Sequence, residues 1–176
     1  SHPQPLANAQ LETRAETDKA IAEDIRKVNR EASSPLAFDN IKVLIVDDDV
    51  EHLDLIDYAL EDLNLDVLKA DSAQQALGIY DEVHPHLIIT DLKMPEMNGI
   101  TFATEVKKRM RFTPIIFCSG FAGRSDLAEF IALGAVGFVE KPYDPDHLRM
   151  IAEQALHTSI TRDCVIKLAR LAYQSY

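Results

Sequence analysis

From residue 40 onward, short apolar runs alternate with longer stretches of mixed polarity. The nearly uninterrupted runs predict buried β-strands at 41–46, 66–70, 86–90, 114–118 and 136–139. Between them, apolar residues recur every three or four positions, which predicts helices at 50–63, 73–82, 99–111 and 125–133, and a fifth from residue 145. The pattern is therefore one of five consecutive βα units.

Residues suited to helix ends support three of these boundaries. Ser72 is a suitable N-cap for the second helix, and Gly134 follows the fourth helix where a C-cap is expected. Asp144 and Pro145 stand in the order favoured at a helix start. Five βα units then predict an α/β fold, a doubly wound five-stranded parallel sheet with helices on both faces. Functional sites in such sheets lie at the carboxyl ends of the strands.

Both ends of the chain differ from this central pattern. Residues 11–32 are rich in Ala, Glu, Arg and Lys, with a thin helical stripe made mostly of Ala. This segment is either a solvated helix packed on its own domain or a short dimerising coiled coil or signalling linker. We divide the chain into a helical N-terminal extension or linker (1–39), a central domain (40–157) and a helical C-terminal extension (158–176). The C-terminal extension either continues the fifth helix or is separated from it by a break near residues 157–159.

Composition narrows the class of protein. Of the 176 residues, 47% are hydrophobic and 27% charged, which is typical of a globular protein. The formal net charge is −11, and the central stretch 40–142 carries 18 acidic against 9 basic residues, so we expect no direct nucleic-acid binding. No apolar run reaches the ~18 residues of a membrane span. Two cysteines make no disulfide framework, so a reducing, cytoplasmic location is expected.

Chemically active side chains stand at the ends of four predicted strands. Asp47-Asp48-Asp49 follows the first strand, Asp91 the third, Ser119 the fourth and Lys141 the fifth. If these strands are neighbours, their side chains converge, and two carboxylates 4 Å apart repel by ~4 kcal/mol at an effective dielectric constant near 20. Such a cluster favours a hard cation. Mg²⁺ fits because it combines one or two carboxylates with water and phosphate oxygens.

The same groups predict a site that accepts a phosphoryl group. Asp91 is placed to attack phosphorus in line, while Mg²⁺ and Lys141 offset the charge on the equatorial oxygens. Ser119 would donate a hydrogen bond to one of those oxygens. The product would be an aspartyl phosphate.

This arrangement resembles the receiver domain of two-component response regulators. The resemblance is carried by Val46-Asp47-Asp48-Asp49, Thr90-Asp91-Leu92-Lys93-Met94-Pro95-Glu96-Met97-Asn98-Gly99, Ser119-Gly120 and Lys141-Pro142. Each piece is weak alone, but their order and separations match the family over roughly residues 40–157. The resemblance implies a flavodoxin-like sheet of strand order 2-1-3-4-5, here with helical extensions at both ends.

The resemblance also implies a role for each site residue. Asp91 would be the phosphoacceptor, served by a histidine kinase, a phosphotransfer protein or a small acyl phosphate. Mg²⁺ would be held by Asp48, Asp91 and the backbone carbonyl of Lys93, with Asp47 assisting through water. Asp49 is interpreted as the N-cap of the first helix rather than as a ligand.

Readout of the phosphate is expected to use Ser119 and Phe138 as switch residues. In the family, the hydroxyl moves toward the phosphate and an aromatic ring moves inward. Here the aromatic residue is Phe, not the commoner Tyr, so the ring has no hydroxyl to hydrogen-bond. The alternative is that Phe138 is a core or interface aromatic. A homodimer is expected through the face of helix four, strand five and helix five, or through the terminal helices.

The function expected is a phosphorylation-activated signalling switch with, at most, slow autodephosphorylation, and not an enzyme. One alternative is a constitutive protein-interaction module of the same fold in which phosphorylation is vestigial. Another is a phosphatase or phosphotransferase with an aspartyl nucleophile. Such enzymes typically have a second acid, the general acid, two residues after the nucleophile, where this chain has Lys93. No chemistry is assigned to the histidines of this region, which are His52, His84, His86, His147 and His157.

Overall fold

Strands and helices alternate along the central part of the chain. The structure, a computed structural model, describes residues 40–110, 112–120 and 124–174, together with positions 16, 19, 20, 22, 23 and 26, which are helical. Most of the predicted N-terminal helix lies outside the described residues. The chain divides into two compact units, Ala37–Ser159 and a second one formed by Ser1–Leu36 with Ile160–Tyr176.

The strands are β1 (Lys42–Val46), β2 (Asp66–Ala70), β3 (Leu87–Asp91), β4 (Ile115–Ser119) and β5 (Ala135–Glu140). The helices are α1 (Val50–Leu60), α2 (Ala73–Val83), α3 (Gly99–Arg109), α4 (Arg124–Ala132) and α5 (Pro145–Gln174), and a 3₁₀ turn, Glu61–Leu63, follows α1. The predicted βα alternation is confirmed, and most boundaries lie within two residues of those predicted.

All strand pairs in the sheet are parallel, in the order β2-β1-β3-β4-β5. The expected doubly wound, flavodoxin-like topology is therefore confirmed. Asp91 is paired in register with Cys118, and Ser119 with Glu140, so the ends of β3, β4 and β5 lie side by side. Parallel pairing thus brings the residues that follow β1, β3, β4 and β5 to one edge of the sheet.

The core lies on the three central strands. Every residue of β3 and β4, and every residue of β1 after Lys42, is buried, whereas the edge strands β2 and β5 are only partly so. Near-continuous apolar sequences form such strands because both faces of the sheet are covered by helices. Full burial of one such side chain contributes ~1.5–3 kcal/mol, so the ends of the central strands are held firmly in place.

The helix ends follow the predicted chemistry. The Ser72 hydroxyl accepts a hydrogen bond from the Gln75 amide at 3.2 Å, and Gly134, after α4, adopts a φ of +73°, which strains any residue with a Cβ. Gly137 in β5 allows close packing, because a Cβ there would stand 2.6 Å from Ile151 of α5.

One feature differs from the sequence prediction, and the structure decides another that the sequence left open. The first helix was expected to continue to Leu63, but its last turn is a 3₁₀ turn closed by Asn64 in the left-handed region. A break near residues 157–159 was one of two options for the last helix. Instead α5 is continuous, and the Thr158 hydroxyl is satisfied within the helix by the Gln154 carbonyl at 3.0 Å.

Candidate functional site

Three carboxylates meet at the carboxyl edge of the sheet. Oxygen atoms of Asp47, Asp48 and Asp91 all lie within 4.8 Å of one another. Asp47 and Asp91 are buried, and Asp48 is exposed. The predicted convergence of the first and third strand ends is therefore present.

Asp47 is held from both sides of its carboxylate. Its Oδ1 accepts a hydrogen bond from the Asp49 amide at 2.9 Å, and its Oδ2 accepts one from Lys141 Nζ at 3.0 Å. Asp49 lies outside the three-acid cluster and its own side chain accepts the Glu51 amide at 2.9 Å, which confirms its interpretation as the N-cap of α1.

Lys141 supplies the positive charge of the site. Its Nζ lies 3.2 Å from Asp91 Oδ1 as well as 3.0 Å from Asp47 Oδ2, and its side chain is only 17% exposed. Its backbone amide is fixed to the Ser119 carbonyl at 2.8 Å, and the following peptide bond to Pro142 is cis. Burial disfavours the ammonium, but the hydrogen bond and charge of Asp47, with the charge of Asp91, outweigh it and raise the pKa of Lys141.

Asp91 carries an unfavourable charge at this position. Burial, followed by the negative charge of Asp47, raises the pKa of Asp91, although Lys141 and the Leu92 amide at 2.9 Å act in the opposite direction. Three ionised carboxylates and one ammonium sum to −3 + 1 = −2. A divalent cation would neutralise that excess, and a set of carboxylate oxygens is what Mg²⁺ binds. The three carboxylates of the cluster therefore fit a bound Mg²⁺ ion.

Gly99 permits the tight return of the loop that follows Asp91. A Cβ at Gly99 would overlap the Asp91 carbonyl oxygen, and the Gly99 amide donates to the Leu92 carbonyl at 2.9 Å. The loop between them includes Glu96 in the left-handed region. Close backbone contact thus fixes the main chain at Asp91 and Leu92.

The remaining predicted site residues take up different positions. Ser119 is buried at the end of β4 beside the strand that carries Asp91, and Lys93 is exposed two residues beyond Asp91. The cluster comprises side chains alone, so the ligand role of the Lys93 carbonyl stays a prediction. Phe121, which with Lys93 is expected to influence the phosphate lifetime by shielding the attacking water, lies outside the described residues.

Phe138 belongs to a stack of three aromatic rings. It is half-buried and stacks on Phe130 of α4 with centroids 5.5 Å apart, and Phe130 stacks on buried Phe117 of β4 at 4.8 Å. The stack links the two proposed switch strands through α4. It is compatible with either interpretation of Phe138, since a core aromatic and a movable one both need such contacts.

His52 is the site residue that sequence reasoning missed. Its Nδ1 lies 3.1 Å from Asp47 Oδ2 and 3.0 Å from Lys141 Nζ. A signal was available: helical side chains point toward the N-terminus of their helix, and His52 stands in the first turn of α1, directly after the acids. Tyr143 packs against the same ring, with centroids 5.7 Å apart and planes nearly perpendicular.

Comparison with known proteins agrees with this geometry. Residues 43–153, more than half of the chain, match the family described as response regulator receiver domain. The chain is 32% identical over 126 residues to the transcriptional regulatory protein ZraR of Escherichia coli O157:H7, covering 71% of this chain and 29% of that protein. It thus spans less than a third of that regulator's length.

Two chemotaxis proteins match over nearly their whole length. The chain is 29% identical to the CheY protein of Listeria monocytogenes over 65% of this chain and 98% of that one. The solved structure of Vibrio cholerae CheY4 superposes with a TM-score of 0.63 at 29% identity, over 66% of this chain and 98% of that one.

In the part of the chain that the structure describes, no helix combines the length and the apolar character needed to cross a membrane. Receiver domains generally bind Mg²⁺ through acidic residues and interact with histidine kinases or phosphotransfer proteins. With the sheet order, the acid cluster and the family match all in agreement, the chain belongs to the response regulator receiver domains of two-component signalling systems.

Proposed function

We propose that this chain is a phosphorylation-activated switch that accepts a phosphoryl group on Asp91 in a Mg²⁺-dependent reaction. The observation that carries the proposal is the Lys141 ammonium held between Asp47 and Asp91 at the edge of a three-carboxylate cluster. A carboxylate nucleophile beside a fixed cation and a divalent-ion site provides the groups that phosphoryl transfer needs.

Mg²⁺ would be held by Asp48, Asp91 and the Lys93 carbonyl, with Asp47 assisting through water. When bound, it supplies positive charge to the phosphoryl oxygens. Asp91 Oδ1 already accepts the Leu92 amide and faces Lys141, so we assign the attack on phosphorus to Oδ2. The new O–P bond forms as the bond from phosphorus to the phosphohistidine nitrogen, or to the acyl phosphate oxygen, breaks and leaves its electron pair on the donor.

Lys141 and Ser119 would then bind the new phosphoryl oxygens. Lys141 starts 3.2 Å from the acceptor carboxylate, so a small movement of its flexible side chain brings the ammonium to the phosphoryl group. Ser119, buried at the end of the neighbouring strand, would donate its hydroxyl and shift its loop. Phe138 would move with the aromatic stack, which spans β4, α4 and β5.

The expected donors are a histidine kinase or a phosphotransfer protein, and the expected output is a change of protein contacts. Support for a homodimer through α4, β5 and α5 comes from exposed apolar side chains on these elements, among them Ile131, Val136 and Met150. The terminal segments 1–39 and 158–176 are the alternative dimer contact. We assign the receiver function to 40–157 and propose a cytoplasmic location without direct nucleic-acid binding. The phosphorylated chain would lose its phosphoryl group by slow autodephosphorylation at most.

Acetyl phosphate with Mg²⁺ tests this function directly. The intact mass of the wild-type chain should increase by one phosphoryl group, and the increase should be lost in Asp91→Asn and without Mg²⁺. Asp71→Asn is the matched control, because Asp71 is an exposed acid that directly follows β2, outside the cluster. If the wild-type chain takes no phosphoryl group, the constitutive interaction module replaces the switch as the better proposal.

A further inference from the structure

His52, Lys141 and Asp47 form a nearly equilateral triangle of polar atoms. His52 Nδ1 to Asp47 Oδ2 is 3.1 Å, Lys141 Nζ to the same oxygen is 3.0 Å, and Lys141 Nζ to His52 Nδ1 is 3.0 Å. Asp47 is 1% exposed, so bulk solvent has little access to its carboxylate. The triangle lies beside Asp91 but includes an imidazole that the proposed transfer reaction does not use.

The imidazole nitrogen in this triangle cannot satisfy both neighbours. An ammonium only donates and an ionised carboxylate only accepts, whereas Nδ1 of a neutral imidazole either donates or accepts. With the proton on Nδ1, the ring donates to Asp47 but faces the ammonium. With the proton on Nε2, the lone pair on Nδ1 accepts from Lys141 but faces the Asp47 oxygen. One of the two contacts is therefore unfavourable as long as Lys141 stays in place.

The other imidazole nitrogen, Nε2, makes only a weak polar contact. Nε2 lies 3.7 Å from Asp49 Oδ2, beyond hydrogen-bond distance, and Asp49 is 48% exposed. The N-cap hydrogen bond of Asp49 uses its other oxygen, Oδ1. The ring is held in position by the edge contact with Tyr143. The contacts of Nδ1 therefore determine which hydrogen bond His52 makes.

We propose that His52 is a positioning residue that replaces Lys141 as the hydrogen-bond donor to Asp47 when Lys141 moves to the phosphoryl group. This inference rests on the proposed function. Departure of the ammonium removes the unfavourable neighbour of Nδ1–H and leaves Asp47 Oδ2 with the imidazole donor at 3.1 Å. Without His52, Asp47 Oδ2 would lose its side-chain hydrogen-bond donor when Lys141 moved, and Lys141 would stay with Asp47 instead.

Side-chain replacements distinguish the two nitrogens. The amide nitrogen of Asn reaches the position of imidazole Nδ1, whereas that of Gln reaches the position of Nε2. His52→Asn should therefore keep a hydrogen-bond donor to Asp47, and His52→Gln and His52→Leu should lose it. The matched control is His147→Asn, since His147 is an exposed histidine in the first turn of α5, away from the cluster.

Beryllium fluoride with Mg²⁺ is the probe for the phosphoryl-bound state, with occupancy read from ¹⁹F NMR. Loss of one hydrogen bond to a charged group should raise the concentration for half-saturation about tenfold in His52→Leu and His52→Gln. His52→Asn and His147→Asn should stay within about twofold of the wild-type value. Mg²⁺ affinity measured alone by calorimetry should change less than about threefold in all four variants, because Lys141 still covers Asp47 in that state.

¹⁵N NMR of the imidazole gives a second, direct readout. Beryllium fluoride should increase the fraction of His52 with its proton on Nδ1, with the signal identified by its absence in His52→Asn. A His52→Leu variant that binds beryllium fluoride as tightly as the wild type, or an unchanged tautomer, overturns the inference about His52. A loss of Mg²⁺ affinity parallel to that for beryllium fluoride overturns it as well, in favour of general distortion. Failure of the wild-type chain to bind beryllium fluoride overturns the proposed function instead.

Discussion

Replacing Asp48 by Asn separates the electrostatic cost of the acid cluster from its benefit to metal binding. Asp48 is the exposed member of the cluster, so the change leaves the packing of the two buried acids in place. Asn keeps the size of the side chain and removes its charge. Without divalent ions the variant should be more stable than the wild-type protein.

The size of the effect follows from the cluster dimensions. At the 4.8 Å limit of the cluster, two like unit charges repel by ~3.5 kcal/mol at an effective dielectric constant of 20 and by ~0.9 kcal/mol at that of water. Exposure of Asp48 places the interaction near the lower figure, and Lys141 offsets part of it. We expect Asp48→Asn to increase the free energy of unfolding by ~1 kcal/mol when a chelator is present.

Mg²⁺ should reverse this order of stability. The wild-type protein should gain ~2.7 kcal/mol at a Mg²⁺ concentration of a hundred times its dissociation constant, and the variant, which lacks a proposed ligand, should gain little. Urea unfolding followed by circular dichroism, with chelator and with Mg²⁺, measures both quantities. Asp71→Asn should change neither. The reasoning is refuted if Asp48→Asn is less stable than the wild type in chelator, or if Mg²⁺ stabilises both equally.

Three further changes test separate parts of the structure. Burial and the charge of Asp47 raise the pKa of Asp91 above 3.8, so just above pH 3.8 the folded wild type binds more protons than the unfolded chain. The stability of the wild type therefore falls as the pH rises through this window. In chelator, Asp91→Asn should therefore be more stable than the wild type at pH 7, and urea unfolding should show this advantage vanish toward pH 4; a constant difference would contradict the pKa shift. Gly99→Ala should lower the free energy of unfolding by ~1–3 kcal/mol and slow acetyl phosphate labelling, because its methyl group overlaps the Asp91 carbonyl; wild-type stability and labelling would contradict this contact. Tyr80→Phe should cost ~1–3 kcal/mol of stability in urea unfolding and leave labelling unchanged, since it breaks a buried 2.7 Å hydrogen bond to Thr113 remote from the cluster; slower labelling would contradict the separation.

The sheet was predictable because local sequence and topology agree. Central strands such as Leu87–Asp91 are covered on both faces, so their apolar runs are continuous and easily recognised. The rule that sites lie at carboxyl ends of parallel strands then brought Asp47, Asp48 and Asp91 together. Strand boundaries were less accurate, since backbone pairing with β4 and β5 extends β3 and β4 by one residue to Asp91 and Ser119.

The contacts within the site could not be read from spacing alone. Whether Lys141 contacts Asp47, Asp91 or both depends on a flexible side chain and on the conformation of the loop after β5. The position of His52 depends on where α1 begins, and a one-residue shift of that start would turn its ring by ~100° around the helix axis. The continuity of α5 past Thr158 was equally open, because a hydroxyl residue can either cap a helix or bond within it.

The location of the phosphoryl group is the most direct test of the central claim. After labelling with acetyl phosphate and Mg²⁺, borohydride reduces an aspartyl phosphate to homoserine and marks the acceptor permanently. Trypsin cleavage after Lys42, Lys69 and Lys93 separates the first strand's acids, in 43–69, from Asp91, in 70–93. Fragmentation mass spectra should place homoserine at position 91. Homoserine at Asp47 or Asp48, or a reduced product in neither peptide, would contradict the assignment of Asp91 as phosphoacceptor.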